Sequence, residues 1–248
     1  MICQSNNKQS NNCAKCVVKK KTIFNSLSDN EISKISEYIE KTTTYRVGEY
    51  LIKEYEKAHY SLCVNSGYLI LGTYLEDGSR QIFKVVFPGD SIGFSNNHGD
   101  YGYFVQAVTD VDVCVINDLS VKKLLKEHGD VALRLVEILA NNSNLYQQYL
   151  VNLGRKTARE ALAYLIMELS IRIKEHELPR VKNKDDLCFF PLNQEGMADM
   201  LGLTKVHVSR VISQFKKEGL INYSHKKLKV LNEDKLASIA AFTIPTPE

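Results

Sequence analysis

The sequence predicts an α+β chain in three parts: a jelly-roll-like β-roll, a long helix, and a helix-turn-helix carrying a hairpin wing. Three observations carry this prediction. Short runs rich in Tyr, Val, Ile, Phe and Thr fill the stretch from Thr42 to Asp118, punctuated by NSG, EDGS and PGD turn signals. A proline-free stretch follows, "DVALRLVEILANNSNLYQQYLVNLGRKTARE", whose apolar residues recur at helical spacing. The last third orders a helix, a turn, a helix and two short strands with a basic tip.

Met1 to Lys21 reads as a flexible arm rich in Asn, Gln, Ser and Lys. "SDNEISKISEYIE" is a short helix, with Ser28 as N-cap, Glu31 at the capping-box position, and Ile32, Ile35 and Ile39 on one face. In the β-rich stretch, "LEDGSRQI" gives a hairpin, because Asp77-Gly78 suits a tight turn between two strands. "LSVKKLLKEHG" is a helix ending at Gly129. In the long helix, Leu135, Ile138, Asn142, Leu145 and Tyr149 step by three and four residues. That is a coiled-coil seam for a parallel dimer, with Asn142 placed to fix its register. "ALAYLIMELSIRI" is an apolar helix and "LCFFPL" a short strand; "NQEGMADMLGL" and "HVSRVISQFKKEG" are the paired helices, and "LINYSHKKLKVLN" the wing. The tail "SIAAFTIPTPE" reads as loose. The domain boundaries are an arm at 1–21, a sensing β-roll at 22–128, a dimerisation helix at 129–153, the winged helix-turn-helix at 154–232 and a tail at 233–248.

Net charge is only +3 over 248 residues, but its distribution is uneven. Gly154 to Asn232 holds fifteen Lys and Arg against nine Asp and Glu, which leaves the remainder slightly acidic. A basic C-terminal region on an acidic body points to a polyanion partner for one domain. No apolar run reaches membrane-spanning length and no signal-peptide core opens the chain, so a cytoplasmic location is expected, with no membrane partner. In that reducing compartment the six cysteines are core thiols, metal ligands or redox groups rather than a disulfide framework. No Ser-His-Asp order, phosphate loop or zinc pair stands out and the six histidines are scattered, so no enzyme activity is expected.

The second helix of a helix-turn-helix enters the major groove N-terminus first, with its early exposed residues at base edges. Thr204, Lys205, Val206, His207, Ser209 and Arg210 occupy those places, while Val208, Val211, Ile212 and Phe215 face inward. Arg210 can grip a guanine with two bonds or clamp a phosphate, and Thr204 and Ser209 can bond phosphate at the helix N-terminus. Lys226, Lys227 and Lys229 give the wing its charge for the DNA backbone.

With "NQEGMADMLGLTKVHVSRVISQFKKEGLI", "EDGSRQIFKVVFPGDSIG" and the long helix between them, nearly the whole chain resembles the Crp/Fnr family of bacterial transcription regulators. The resemblance implies a cupin-like, cyclic-nucleotide-binding-like β-roll, a dimerising helix and a DNA-binding winged helix. It also implies homodimers on palindromic double-stranded promoter DNA that contact RNA polymerase. Many members carry Glu in the recognition helix where this chain has Val206, so an A·T pair is expected where they select G·C. Cyclic-nucleotide binders place an Arg against the cyclic phosphate; Tyr101 stands there here, so neither cAMP nor cGMP is expected. Asp90, Ile92, Tyr101 and Tyr103 are the candidate lining of a pocket for another small effector.

Oxygen-sensing members hold a [4Fe-4S] cluster on an N-terminal cysteine group and one strand cysteine. Cys13 and Cys16 match the C-x-x-C part and Cys114 the strand position; Thr22 fills the next ligand slot, leaving Cys3 as a fourth ligand from the arm. Two other readings stand beside the cluster: a thiol-disulfide pair of Cys16 with Cys114, and inert cysteines. Cys63 and Cys188 lie in apolar runs and read as core.

Overall fold

The computed structural model describes residues 13, 16–25, 27–57, 59–94, 101–176 and 188–243. After a 3-10 turn at Lys19–Lys21 comes helix α1 (Asp29–Ile35), capped by the expected box: Ser28 and Glu31 bond each other's backbone N–H. Strands β1 (Lys41–Tyr45), β2 (Tyr50–Ile52), β3 (Tyr60–Ser66), β4 (Leu69–Tyr74), β5 (Arg80–Val86), β6 (Ser91–Ile92), β7 (Phe104–Ala107) and β8 (Val111–Asn117) follow. Helices α2 (Asp118–Glu127), α3 (Gly129–Arg155) and α4 (Ala158–His176) lead to β9 (Cys188–Phe189). Helices α5 (Gln194–Leu201) and α6 (Lys205–Lys217), strands β10 (Ile221–Ser224) and β11 (Lys227–Val230), and helix α7 (Glu233–Ala240) complete the order. This is the β-rich N-terminal part, long helix and winged helix-turn-helix that the residue patterns predict.

The chain divides into two compact units, Met1–Leu69 with Val86–Asn141, and Ile70–Val85 with Asn142–Glu248. In the first, four strands form an antiparallel sheet in the order β1-β8-β3-β6, and β2 pairs with β7. Alternation gives this sheet two faces. Leu62, Val64, Val113 and Val115 are buried on one; Cys63 and Ile116 lie on the other, under a core of Ile23, Phe24, Leu27, Ile32, Ile35, Leu124, Val131 and Leu135.

The second unit is a helical body around α4, which is buried from Ala161 to Leu169. The β4–β5 hairpin belongs to it. Its tip closes as predicted, with Gly78 at φ +79° and the Asp77 carboxylate accepting from Ser79 N–H at 2.9 Å. The expected long helix stops at Arg155 because Thr157 starts a new one: Thr157 N–H and hydroxyl both bond the Glu160 carboxylate at 2.8 Å. Of the tail read as loose, Ser238 to Ala240 end helix α7 (Glu233–Ala240), which buries Leu236, Ala237 and Ala240, and residues 244–248 lie outside the described residues; Lys156 Nζ donates to the Ala240 carbonyl at 2.6 Å.

The predicted seam on α3 needs a correction. Leu135 and Tyr149 are buried within their own units, and Asn142 accepts a hydrogen bond from the buried Lys84 Nζ at 2.9 Å. The adjacent row, one residue on, is the exposed one: Val136, Leu139, Ser143, Tyr146, Leu150 and Leu153, again at steps of three and four.

Candidate nucleic-acid interface and thiol row

The helix-turn-helix is built from local signals. Asn193 caps α5 by accepting from Gly196 N–H at 2.8 Å, and Met197, Ala198, Met200 and Leu201 bury its inner face. Gly202 ends α5 in the left-handed region at φ +61°, which a side chain would strain. Thr204 then caps α6, its hydroxyl accepting from His207 N–H at 3.2 Å. Val208, Val211, Ile212 and Phe215 are buried, which fixes the opposite face outward. Lys205, Val206, His207 and Arg210 are exposed there, and Ser209 is half-buried. Val206 is 70% exposed, so core packing does not account for it.

Lys205, Val206, Ser209 and Arg210 line one cleft of about 430 Å³ together with Gln194 and Ser213. The last two escaped the sequence reading. Ser213 lies one turn beyond Ser209, a visible i+4 signal; Gln194 opens α5 and joins the cleft only through the packing of α5 on α6. The first turn of α6 carries no acid, so helix dipole, Lys205 and Arg210 all favour an anion.

The wing pairs β10 with β11, and β9 with β11. His225 and Lys226 form its tip, both at positive φ (48° and 60°). Such backbone in non-glycine residues needs support, and Phe190 N–H supplies it by donating to the Lys226 carbonyl at 2.7 Å. Lys227 is exposed and Lys226 and Lys229 half-buried. At the other end of α5, Arg80 of the hairpin grips Asp199 through Nε at 2.8 Å and Nη2 at 2.6 Å, and Gln81 donates to the Met200 carbonyl at 3.3 Å. Strand β5 thus holds α5 next to the turn that positions α6.

In the first unit, register aligns Thr42, Cys114, Cys63 and Ser91 as one row across β1, β8, β3 and β6. Asn65 Nδ2 donates to Cys114 Sγ at 3.2 Å, Thr42 Oγ1 lies 3.8 Å from it, and Cys63 Sγ is 3.2 Å from Ser91 Oγ. Cys16 N–H donates to the Cys13 carbonyl at 3.2 Å. Burial, then the neighbouring Cys114 and Cys16, push the Cys13 thiol up to about 11; burial also raises Cys16 and pushes Cys63 up to about 12. These thiols therefore rest protonated. Cys13 and Cys114 pack against the core on this face of the sheet, where Cys63 is buried as its apolar surroundings suggest. Cys3 lies outside the described residues. Among the described residues, no three His, Cys, Asp or Glu side chains are grouped so as to hold a metal ion.

The candidate effector residues are engaged with their own fold. The Asp90 carboxylate accepts from Phe87 N–H at 3.1 Å, and Ile92 is buried. The Tyr101 hydroxyl donates to the Gly93 carbonyl at 2.6 Å, with the Tyr60 carbonyl at 3.1 Å, and burial raises its pKa. Tyr103 packs edge-on to Tyr101 at 5.4 Å.

Residues 160–239 match the Crp-like helix-turn-helix domain, and residues 42–128 match the cyclic nucleotide-binding domain. The transcriptional activator protein FnrL of Cereibacter sphaeroides is 28% identical over 89% of this chain and 88% of its own length. The nitrogen fixation regulation protein FixK of Bradyrhizobium diazoefficiens is 25% identical over 92% and 94%. The fumarate and nitrate reduction regulatory protein of Escherichia coli is 24% identical over 93% and 91%. The solved structure of FixK2 from Bradyrhizobium japonicum superposes with a TM-score of 0.72 at 26% identity, covering 82% of this chain and 98% of that one. A CooA mutant from Carboxydothermus hydrogenoformans, at 21% identity and a TM-score of 0.70, covers 88% and 94% and shares the fold. No described helix is long and apolar enough to cross a membrane.

Proposed function

We infer that the chain is a Crp/Fnr-type transcription regulator with a DNA-binding helix-turn-helix and a cyclic-nucleotide-binding-like sensor domain. From that premise we propose that it acts in the cytoplasm as a homodimer on A·T-rich palindromic promoter sites, where it meets RNA polymerase, and that a redox signal controls it. The observation that carries the site preference is Val206, exposed in the same cleft as Lys205, Ser209 and Arg210. Its methyl groups offer apolar contact to a thymine methyl and no acceptor for a cytosine amino group. Arg210 holds a base edge or phosphate, and Thr204, His207 and Ser209 bond the backbone near the helix N-terminus. Lys226, Lys227 and Lys229 add phosphate contacts from the wing.

The exposed row Val136, Leu139, Tyr146, Leu150 and Leu153 supports the dimer, because apolar residues at this spacing form the seam of a two-helix coiled coil, with Ser143 as the polar member. The test of DNA reading is a mobility shift on an A·T-rich palindrome. The wild type should bind it over a scrambled duplex. Arg210→Ala should lose about 1–3 kcal/mol of specific affinity; equal affinity would remove Arg210 from the recognition set.

The redox reading rests on Cys13, Cys16 and Cys114. They are the described members of the expected cluster set, but as they stand they do not fit a metal centre. The thiols themselves therefore carry the signal in this reading. Anaerobic purification followed by iron and sulfide assay and an absorption spectrum decides between the two. Iron-free protein with reversibly oxidised thiols supports the thiol reading; stoichiometric iron and sulfide would assign the signal to a cluster, with Cys3 as its fourth ligand.

A further inference from the structure

We propose that Cys63 and Cys114 form a cross-strand oxidation site, closing to a disulfide when the chain meets a hydroperoxide. The inference rests on the redox reading above and names a partner for Cys114 that lies inside the fold.

The register places Cys63 directly opposite Cys114 in the antiparallel pair of β3 and β8. Directly opposed residues of such a pair have Cα atoms about 4.5–5.5 Å apart and side chains on one face. A disulfide spans Cα separations of about 4.4–6.8 Å, so the bond needs no strand movement. Pairing from Tyr60 to Val64, ahead of a register shift between Val64 and Ser66, holds both backbones in place before any chemistry begins. That preorganisation is an advantage over Cys16, which sits on a turn near the N-terminus. Asn65 Nδ2 and Thr42 Oγ1 flank Cys114 Sγ, while Cys63 Sγ needs only to turn from Ser91 Oγ toward its cross-strand neighbour.

Exposure sets the order of events. Cys114 is partly exposed and Cys63 is 4% exposed, so the oxidant meets Cys114 first. The Cys114 sulfur attacks one peroxide oxygen, the O–O bond breaks, the thiol proton passes to the departing oxygen, and a sulfenic acid and an alcohol (water from hydrogen peroxide) form. The Cys63 sulfur then attacks the Cys114 sulfur. The S–S bond forms, the S–O bond breaks, and the hydroxyl leaves as water with the Cys63 proton. In total two thiols lose two electrons and two protons, and the hydroperoxide is reduced. Closure withdraws Cys114 from Cys13 and Cys16, so it competes with any other use of that sulfur.

The test uses the full chain, reduced under anaerobic conditions and then treated with hydrogen peroxide. Remaining thiols are alkylated in denaturant, and the digest is mapped by mass spectrometry. A peptide pair joining Cys63 to Cys114, two hydrogens lighter than the reduced pair, should exceed any pair joining Cys114 to Cys13 or Cys16 by about tenfold. It should persist in the Cys13→Ser, Cys16→Ser double variant, which leaves the sheet untouched, and vanish in Cys63→Ser. A dominant Cys16–Cys114 link would overturn this proposal and leave the redox reading standing. Full alkylation of both Cys63 and Cys114 after peroxide would also overturn it. If Cys13 and Cys16 are fully alkylated as well and DNA binding is unchanged, the redox reading falls too.

Discussion

Helix α6 and the thiol row on β3 and β8 are both surfaces for chemistry, yet they are assembled from different kinds of sequence information. Within α6, everything needed lies within one short stretch: the cap Thr204, the buried Val208, Val211, Ile212 and Phe215, and the outward Lys205, Val206 and Arg210. A period of 3.6 residues sorts those side chains without reference to the rest of the molecule. The thiol row joins residues 42, 63, 91 and 114, and only strand register shows that they are neighbours. The N-terminal end of α6 is also exposed and basic, whereas Cys63 is buried and Cys114 half-buried.

The largest effect that would sharpen this comparison belongs to the dimer, because a palindrome needs two recognition helices. Replacing Val136 and Leu150 together by Glu should place two charges on the exposed row of α3 without touching its buried Leu135 or Tyr149. The mass by light scattering should fall from twice 28.1 kDa to that of one chain. A dimer unaffected by these changes would place the interface elsewhere.

That row also shows where reading the sequence stops. The steps of three and four on α3 occur twice, in adjacent rows one residue apart, and both rows are largely apolar. Periodicity cannot tell which row faces its own chain. The inward row is marked by the burial of Leu135 and Tyr149 and by a bond to Asn142 from the buried Lys84, far away in sequence. The same limit hid Cys63, whose apolar surroundings read as plain core, and Gln194, whose place depends on how α5 packs on α6. By contrast the Asp77-Gly78 hairpin, the Ser28–Glu31 box and the helix-turn-helix order were all legible, because each is specified by residues close together. Helix α7 was not legible because Leu236, Ala237 and Ala240 lie in a run too short for helical periodicity to declare itself.

A smaller effect tests whether the recognition surface extends to the wing. Changing Lys226, Lys227 and Lys229 to Gln should weaken binding to all sequences alike. It should also flatten the logarithmic salt dependence, by about 0.9 for each phosphate that the wing no longer neutralises. An unchanged slope would take the wing off the DNA backbone.

The most direct test falls on Val206 and the base pair it is proposed to read. In a competition at fixed salt, the wild-type dimer should prefer a palindrome of TTAAT half-sites over one of TTGAT half-sites, by about 1–3 kcal/mol for the mismatched pair. Val206→Glu restores an acceptor for the cytosine amino group and should shift the preference toward TTGAT. Because Val206 is 70% exposed, the change should leave the fold intact. A wild type that favours TTGAT, or a Glu variant with no shift, would contradict the account.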